Sequence, residues 1–444
     1  MTTRTETQSS SRSSPAPTLI EALPVWFQIG CLSFGGPAGQ IAMMHRMLVD
    51  ERKWIDEKSY LSALNFCMLL PGPEAMQLAT YVGWRMHGVK GGLAAGLLFV
   101  VPGALFMLAL SLLYALFGKL AVAEALFVGV KAAVLAIVVE ALLRVARRAL
   151  KGFADWMVAA LAFVAIYALG VPFPVIVLAA GLFGFLRGQT GSAGEQPDAL
   201  AHTASQPLPL RQTAITVATW LAIWILPLLV IVATFGPGHV LSELAWFFSK
   251  LAVVTFGGAY AVLAYMAQEV VQGYGWLRPG EMLDALGLAE TTPGPLILVN
   301  QFVGTLAAFR HGGGSPLWMG VLGAWVTLWA TFAPCFLWIF AGAPYVERLN
   351  RTPRLRSALQ SVTAAVVGVI LNLTVWFGLH VLFKTVSPWT FGPLHPMVPQ
   401  LSSFHGPSLV LAAIAFTVLF AFHRGVISTL STCGILALAW HWAG

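Results

Sequence analysis

The sequence of 444 residues is poor in charge, since only 10% of its residues are Asp, Glu, Lys or Arg and 58% are hydrophobic. A soluble globular domain carries about 25% charged residues. Too few charged side chains are therefore present to solvate a water-exposed surface, and the mean hydropathy of +0.79 agrees with this. The composition excludes an ordinary soluble domain and predicts that a lipid bilayer covers most of the protein surface.

Several chemical patterns are missing as well. The four cysteines lie far apart in apolar stretches and the ten histidines are scattered, so we expect no disulfide framework and no metal site. There is no P-loop, no H-E-x-x-H motif and no pattern of a nucleophile triad, so we expect neither an enzyme nor a cofactor. No basic run with interleaved aromatic residues accompanies the net charge of +7, which argues against nucleic acid as a partner. The densest basic cluster is interpreted as a cytoplasmic helix end, and it comprises Arg144, Arg147, Arg148 and Lys151.

Thirteen apolar segments predict an all-α polytopic membrane protein with about 13 transmembrane segments. They lie near 19–44, 59–84, 91–117, 122–143, 155–169, 171–186, 213–235, 242–268, 281–308, 316–341, 357–383, 407–422 and 425–443. A polar tail, 1–18, is expected to be disordered. The hydrophilic stretch 188–212 is expected to be a cytoplasmic linker. It separates an N-terminal transmembrane repeat, 19–187, from a C-terminal repeat with one extra leading helix, 213–444.

The distribution of Lys and Arg predicts the orientation. With the N-terminus in the cytoplasm, sixteen of these residues fall on the cytoplasmic side and seven on the other side, while Lys131 and Lys250 lie within spans. This excess predicts a cytoplasmic N-terminus and a C-terminus on the opposite side. The weakest point is the loop 45–58, which places four bases on the outside beside four acids.

An internal repeat joins the two halves. The motif Phe34-Gly35-Gly36 recurs as Phe256-Gly257-Gly258, and Pro71-Gly72-Pro73 recurs in the same register as Pro293-Gly294-Pro295. From the first motif to the second, 13 of 40 positions are identical. We call this alignment, which pairs Phe34 with Phe256, the first register. Later matches follow a second register, which pairs Pro102 with Pro334.

The number of segments before the second copy predicts how the copies are oriented. An odd number of segments precedes it, so the second copy enters the membrane from the other side. We therefore predict that the two halves have inverted topology, as in many secondary transporters.

The repeated glycines and prolines predict broken helices. Pro37 can restart a helix after the F-G-G motif, and Pro73 and Pro295 suit a first helical position. In lipid such breaks are tolerated only where protein or a water-filled cavity covers them. Each restarted helix offers unpaired N–H groups and a partial positive charge, which suits an oxyanion. The alternative is that these motifs only kink the helices for packing.

Polar groups beside the breaks could hydrogen-bond a tetrahedral anion, although ordinary helix–helix hydrogen bonds are an alternative for each of them. The candidate substrate-binding residues are the two pairs of breaks, these polar groups and one lysine: Ser33, Phe34, Gly35, Gly36, Pro37, Pro71, Gly72, Pro73, Gln77, Lys131, Thr255, Phe256, Gly257, Gly258, Thr292, Pro293, Gly294, Pro295 and Asn300.

Lys131 lies within an apolar run, where a charge is costly unless it is paired or faces a cavity. The preferred interpretation is a counter-charge for an anion. Snorkelling, or a structural ion pair with Glu124 or Glu140, remains the alternative.

Two acidic residues flank the P-G-P motifs, because Glu74 follows the first and Glu290 precedes the second. A carboxyl group in an apolar site tends to keep its proton, so either residue is a candidate for coupling transport to protons. For Glu74 the alternative is stabilisation of the helix dipole.

The motifs resemble those of the chromate ion transporter family in its long, two-domain form, over about residues 20–440. The stretch Leu70-Pro71-Gly72-Pro73-Glu74-Ala75-Met76-Gln77 carries the resemblance, together with F-G-G-P at 34–37 and T-P-G-P at 292–295. The second F-G-G is followed by Ala259 rather than proline, which suggests that the halves are not functionally equal.

The resemblance implies efflux of chromate across a prokaryotic inner membrane, driven by the proton gradient or the membrane potential, and resistance to chromate. We expect sulfate to compete as a close mimic. The alternatives are a transporter of sulfate or another tetrahedral oxyanion in the same fold and an anion channel. The oligomeric state is left open, with a homodimer as one arrangement.

Overall fold

The computed structural model describes residues 17–188, 210–256, 258–346, 352–389, 392, 394 and 396–443. Most of the expected disordered tail, 1–18, and most of the expected linker, 188–212, lie outside the described residues. The described chain is almost entirely helical, with a single two-stranded antiparallel sheet. It is an all-α protein, as the sequence predicts.

In the described part of the chain, seven helices precede position 188, and one more follows before the second copy of the repeat begins. These are α1 (Leu19–Leu32), α2 (Gly36–His45), α3 (Glu57–Cys67), α4 (Glu74–Phe117), α5 (Ala121–Ala149), α6 (Phe153–Tyr167), α7 (Phe173–Arg187) and α8 (Leu210–Phe235).

Eight helices and the two strands form the rest of the described chain. These are α9 (Val240–Val254), α10 (Ala259–Gln268), α11 (Pro279–Thr291), α12 (Val299–His311), α13 (Pro316–Gly342), α14 (Pro353–Leu382), β1 (Val386–Pro388), β2 (Met397–Pro399), α15 (Gly406–Phe416) and α16 (Val426–Ala443). Short π-helical turns cover Arg46–Glu51, Glu269–Gly273 and Thr417–Ala421, and 3-10 turns cover Leu296–Leu298, Ala343–Tyr345 and Leu401–Ser403.

The helices follow the sequence repeat element by element. In the first register α1, α2 and α3 correspond to α9, α10 and α11. Both α2 and its counterpart α10 end in a π-helical turn. In the second register α5 falls on 353–381, where the structure has α14 (Pro353–Leu382). Helix α8 has no counterpart among the described residues of the first copy. The main insertion in the second copy is the sheet between α14 and α15.

Helix α4 is a hairpin of two arms rather than one rod of 44 residues. Its backbone leaves the helical region at His87 and Gly88, where the φ angle of Gly88 is +62°. The arms then run back along each other so closely that a Cβ on Gly83 would lie 2.4 Å from the carbonyl oxygen of Gly91. Glycine at these contacts lets the backbones touch, as is common between helices in membranes. The two arms correspond to α12 and α13 of the second copy.

Five stretches of the described chain are long and apolar enough to cross a membrane: α4, α5, α8, α13 with its 3-10 turn, and α14. Helices α1, α6, α7, α15 and α16 are apolar but shorter. Large apolar side chains cover the outside of the protein, such as Leu178, which is 73% exposed. Lipid is the solvent that such a surface requires, and the protein is a multi-pass membrane protein.

The basic end of the molecule is where α5 finishes and α14 begins, and Arg148, Lys151 and Arg356 lie there. The loop between α2 and α3 lies at the same end, because Lys58 and Arg356 line one cavity of about 900 Å³. We call this cavity the vestibule. Arg85 lies near this loop as well. A hydrogen bond from Ser59 lowers the pKa of the Asp56 carboxyl group, and the nearby charge of Arg85 lowers this pKa further.

Helices α1 and α2 therefore form a hairpin that opens at the basic end. The carbonyl of Pro17, just before α1, lies 2.7 Å from the His87 ring, and His45 at the end of α2 lies 2.5 Å from Glu57. The sequence count placed the 45–58 loop on the opposite side from Arg85 and Arg356. This placement is wrong, because the apolar stretch turns back at the F-G-G break instead of crossing.

The corresponding hairpins of the second copy open at the other end of the molecule, which we call the opposite end. His239, before α9, lies 2.9 Å from the carbonyl oxygen of Gly312, just after α12. Arg310 near the end of α12 forms a two-pronged ion pair with Glu281 at the start of α11, at 2.8 and 2.9 Å. Tyr114, near the end of α4, also lies here and bonds to α11.

Candidate functional site

All four repeated Gly/Pro motifs interrupt a helix. The F-G-G motifs separate α1 from α2 and α9 from α10, and the P-G-P motifs separate α3 from α4 and α11 from the turn before α12. Gly72 and Gly294 have φ angles of +112° and +90°, which side chains with a Cβ rarely adopt. Pro73 and Pro295 are capping residues, one position before the first helical position that the sequence predicts for them.

Each P-G-P break is hydrogen-bonded to the F-G-G break of the other repeat. The N–H of Gly72 donates to the carbonyl of Thr255 at 3.0 Å, and the N–H of Gly294 donates to the carbonyl of Ser33 at 2.9 Å. These two bonds are counterparts in the first register. Backbone groups that the breaks release from helical bonding are thus paired inside the protein, as an apolar surrounding requires.

The side of each P-G-P glycine packs against a proline-containing helix of the other repeat. A Cβ on Gly72 would lie 3.1 Å from the Cys335 sulfur, next to Pro334 in α13. A Cβ on Gly294 would lie 3.4 Å from the Cα of Gly103, next to Pro102 in α4. Gly103 and Cys335 are counterparts in the second register. The four breaks therefore form one pseudo-symmetric centre to which both halves contribute.

Buried amides tie the centre together. Gln40 Nε2 donates to the carbonyl of Gly294 at 2.6 Å, which joins α2 of the first repeat to the second P-G-P break. Gln77 Nε2 donates to the carbonyl of Pro71 at 2.7 Å and holds the first break closed on itself. Asn300 Nδ2 donates to the Thr331 hydroxyl at 3.3 Å. These bonds explain why amide side chains stand beside the breaks.

A cavity of about 400 Å³, the central cavity, lies against this centre. Three helix N-termini reach it: those of α2 through Pro37 and Ala38, α4 through Glu74, and α10 through Ala259. Helix N-termini carry unpaired N–H groups and about half a positive charge each. An anion in the central cavity would therefore meet a favourable field from the backbone alone.

Among the described residues, four basic side chains and one carboxyl group, that of Glu74, also line the central cavity. Arg144, Arg148 and Lys151 come from the end of α5, and Arg356 comes from the start of α14. These four residues were not predicted as site candidates, because the positive-inside rule already explained them. The spacing of Arg144 and Arg148, which puts both on one helix face, was the available signal.

The two acidic candidates both lie near the start of α10. Glu74 approaches Gly258, where a Cβ would lie 3.4 Å from the carboxylate. Glu290 is only 3% exposed and accepts a hydrogen bond of 2.8 Å from the hydroxyl of Tyr260. Because Gly258, Tyr260 and Glu74 all line the central cavity, the structure brings both carboxyl groups to its wall or directly behind it.

The hydroxyl candidates donate to their own helices. Ser33, Thr255 and Thr292 bond to the carbonyls of Ile29, Leu251 and Ala289. Their hydroxyl protons are thus already used within α1, α9 and α11. Among the other predicted residues Pro37, Gly72 and Gly258 line the central cavity. Gly257 lies outside the described residues.

Lys131 is not part of the lining of the central cavity. Its ammonium group lies 3.3 Å from the carboxylate of Asp284 in α11, and its side chain is 26% exposed. The sequence offered an ion pair with Glu124 or Glu140 as an alternative role for Lys131, and Asp284 was not foreseen as a partner. The role of Lys131 as a counter-charge for an anion stays a prediction.

The long apolar helices, the duplicated broken-helix unit and the cavity with basic side chains beside its centre define a membrane protein built like a transporter. The family model described as "Chromate transporter" matches residues 20–185 and 242–438. The two matched stretches contain the two copies of the repeat, with α8 between them. The chain belongs to the chromate transporter family, which points to a transporter rather than an enzyme.

Curated proteins agree with the family assignment. A chromate transport protein of Pseudomonas aeruginosa is 34% identical over 354 residues, which is 79% of each chain. One of Cupriavidus metallidurans is 30% identical over 82% of this chain and 84% of its own length. A probable chromate transport protein of Synechococcus elongatus is 29% identical over 86% and 93%. No solved structure matches this chain.

We predict that Gln40→Met destabilises the protein. The substitution keeps the volume but leaves the buried carbonyl of Gly294 without its 2.6 Å partner, which costs about 1–3 kcal/mol. The melting temperature of the purified protein in detergent should fall by a few degrees. Gln272→Met is the matched control, because Gln272 is exposed, and it should melt like the unchanged protein. Equal melting of both variants would contradict the bridging role of Gln40.

Proposed function

We propose that the protein is a secondary active transporter that exports chromate from the cytoplasm and so confers chromate resistance. The observation that carries this proposal is the central cavity, where three helix N-termini and four basic side chains surround one space at the paired breaks. A tetrahedral dianion fits such a site through N–H donors and charge. Membership of the chromate transporter family and the names of its relatives support chromate as that dianion.

The proposed location is a prokaryotic inner membrane, with the basic end in the cytoplasm, the N-terminus inside and the C-terminus outside. Moving the 45–58 loop to the basic end adds Arg46, Arg52, Lys53 and Lys58 to the sixteen bases already counted there. Only Lys119, Arg310 and Lys384 then remain outside. This larger excess supports the orientation.

We further propose that the two halves have inverted topology. The hairpins of the first copy open at the basic end, and those of the second copy open at the opposite end. The paired hydrogen bonds of Gly72 and Gly294 are what a two-fold axis in the membrane plane would generate. In such transporters the substrate binds between the copies and is exposed to each side in turn.

The repeat suggests a reason for the direction of transport. In the second register the counterparts of Arg144, Arg148 and Arg356 are Trp376, His380 and Glu124. A cavity open to the outside would therefore lack most of the positive charge of the central cavity. An anion would bind from the cytoplasm and leave on the other side. A membrane potential that is negative inside adds about 2.3 kcal/mol per charge at 100 mV in the same direction.

Glu74 and Glu290 are the proposed proton-coupling residues. Both lie near the N-terminus of α10, at the wall of the central cavity or directly behind it. A carboxylate there would repel an anion in the central cavity, so the protonation state of these residues and the binding of the anion affect each other. Sulfate is the alternative substrate, because the same donors suit any tetrahedral dianion.

Uptake of radiolabelled chromate into energised inside-out vesicles tests the proposal. We expect accumulation above control vesicles, inhibition by excess sulfate, and loss of accumulation when the gradients are collapsed. Accumulation of labelled sulfate without chromate would replace the substrate. Gradient-independent equilibration would indicate a channel.

We predict that Arg148→Gln raises the KM for chromate by about tenfold, which corresponds to about 1.4 kcal/mol of lost attraction. Arg147→Gln removes the same charge from the neighbouring residue, which does not line the central cavity. This control should change KM less than about twofold if position rather than total charge matters. Equal effects of both substitutions in the vesicle assay would remove Arg148 from the site.

We predict that Glu74→Gln or Glu290→Gln flattens the dependence of chromate uptake on pH, because a neutral amide cannot release a proton. Initial rates between pH 6 and 8 in vesicles would measure this. Glu21→Gln is the control, since Glu21 is an exposed residue of the α1 capping box and Gln caps equally well. A wild-type pH profile in both variants would end the assignment.

A further inference from the structure

A second polar cluster lies within the helices, away from the central cavity. Asp284 of α11 is 3% exposed. Its carboxylate lies 3.3 Å from the ammonium group of Lys131 in α5 and accepts a hydrogen bond of 2.8 Å from the hydroxyl of Tyr114 in α4. The ring of Tyr114 also packs on Phe302 of α12, with centroids 5.0 Å apart. This cluster lies at the opposite end of the molecule.

The contacts of Asp284 cross between the two repeats. Lys131 and Tyr114 belong to the first copy, whereas Asp284 belongs to the hairpin of the second copy. The neighbouring pair of Glu281 with Arg310 joins α11 to α12 and stays within one hairpin. A movement of the hairpin against α5 and α4 would break the bonds of Asp284 and keep the other pair.

The counterparts of this cluster at the basic end are neutral. Lys131 corresponds to Thr363 and Tyr114 to Val346 in the second register, and Asp284 corresponds to Ser62 in the first register. Thr363 and Ser62 line the vestibule of about 900 Å³. At the opposite end these repeat positions are occupied by the ion pair of Lys131 with Asp284. At the basic end the same positions, Thr363 and Ser62, line an open cavity.

We propose that Lys131, Asp284 and Tyr114 form the gate that closes the path on the outer side, so that the present structure is the state open to the cytoplasm. The proposal rests on the transport function proposed above. It gives Lys131 a role in conformational change instead of direct contact with the anion. For release to the outside, the hairpin of α11 and α12 must leave α5, and Asp284 must lose both partners.

A disulfide across the gate tests the movement. A Cβ on Gly287 would lie 3.7 Å from the Cβ of Val130, which is within the range of a disulfide. We would combine Val130→Cys with Gly287→Cys in a variant without the four native cysteines. Oxidation should abolish chromate accumulation, and reduction by dithiothreitol should restore it, while each single cysteine variant transports under both conditions. Undiminished transport with the cross-link complete would overturn the proposal.

A labelling experiment tests the gate without any transport assay. Val128 is the counterpart of Gln360, which lines both the vestibule and the central cavity. A cysteine at Val128 in the same background should react slowly with a membrane-impermeant maleimide added from outside. Lys131→Met should speed this reaction several-fold. The substitution removes an ion pair from the state open to the cytoplasm, so the population of the outward-open state increases.

The charge swap Lys131→Asp with Asp284→Lys is the matched control and should restore slow labelling. Unchanged labelling in Lys131→Met would contradict the gate even if chromate is transported. Faster labelling that the swap reverses would support the gate even if vesicles take up no chromate. The failure of the gate and the failure of the proposed function are therefore distinguishable.

Discussion

The structure depends on a single constraint: backbone groups released by a broken helix must find partners where no water is present. The bonds from Gly72 to Thr255 and from Gly294 to Ser33 meet it by pairing each P-G-P break with the F-G-G break of the other repeat. Without the other copy, the backbone N–H groups of the two P-G-P breaks would lack these hydrogen-bond partners. A centre assembled from the four breaks therefore requires both halves.

The arrangement of charge differs between the two ends of the molecule. Basic side chains from α5 and α14 collect around the central cavity at the basic end, whereas at the opposite end the inward-facing charges are paired across the repeats by Lys131 and Asp284. Charges that line a water-accessible cavity cost less than charges surrounded by apolar side chains, which need a partner. The two halves thus place different side chains at counterpart positions, of which Thr363 against Lys131 is the clearest example.

Much of the fold could be predicted, because the repeat and the apolar runs are visible in the sequence itself. The breaks at F-G-G and P-G-P, the all-α membrane class and the register of α5 with α14 follow from pattern alone. The predicted side of the 45–58 loop was wrong, since hydropathy cannot distinguish a segment that crosses from one that turns back at Gly35 and Gly36. The bases Arg144 and Arg148 were interpreted only as a topology signal.

Composition predicted that lipid surrounds the protein, the repeated motifs predicted its duplication, and the geometry of glycine and proline predicted the four places where helices break. Which breaks pair and which charges meet became visible only once the helices were packed. Asp284 and Lys131 belong to different repeats, and Gly294 lies 254 residues from Gln40. Contacts over such separations come from the packing of whole hairpins, which no local pattern encodes.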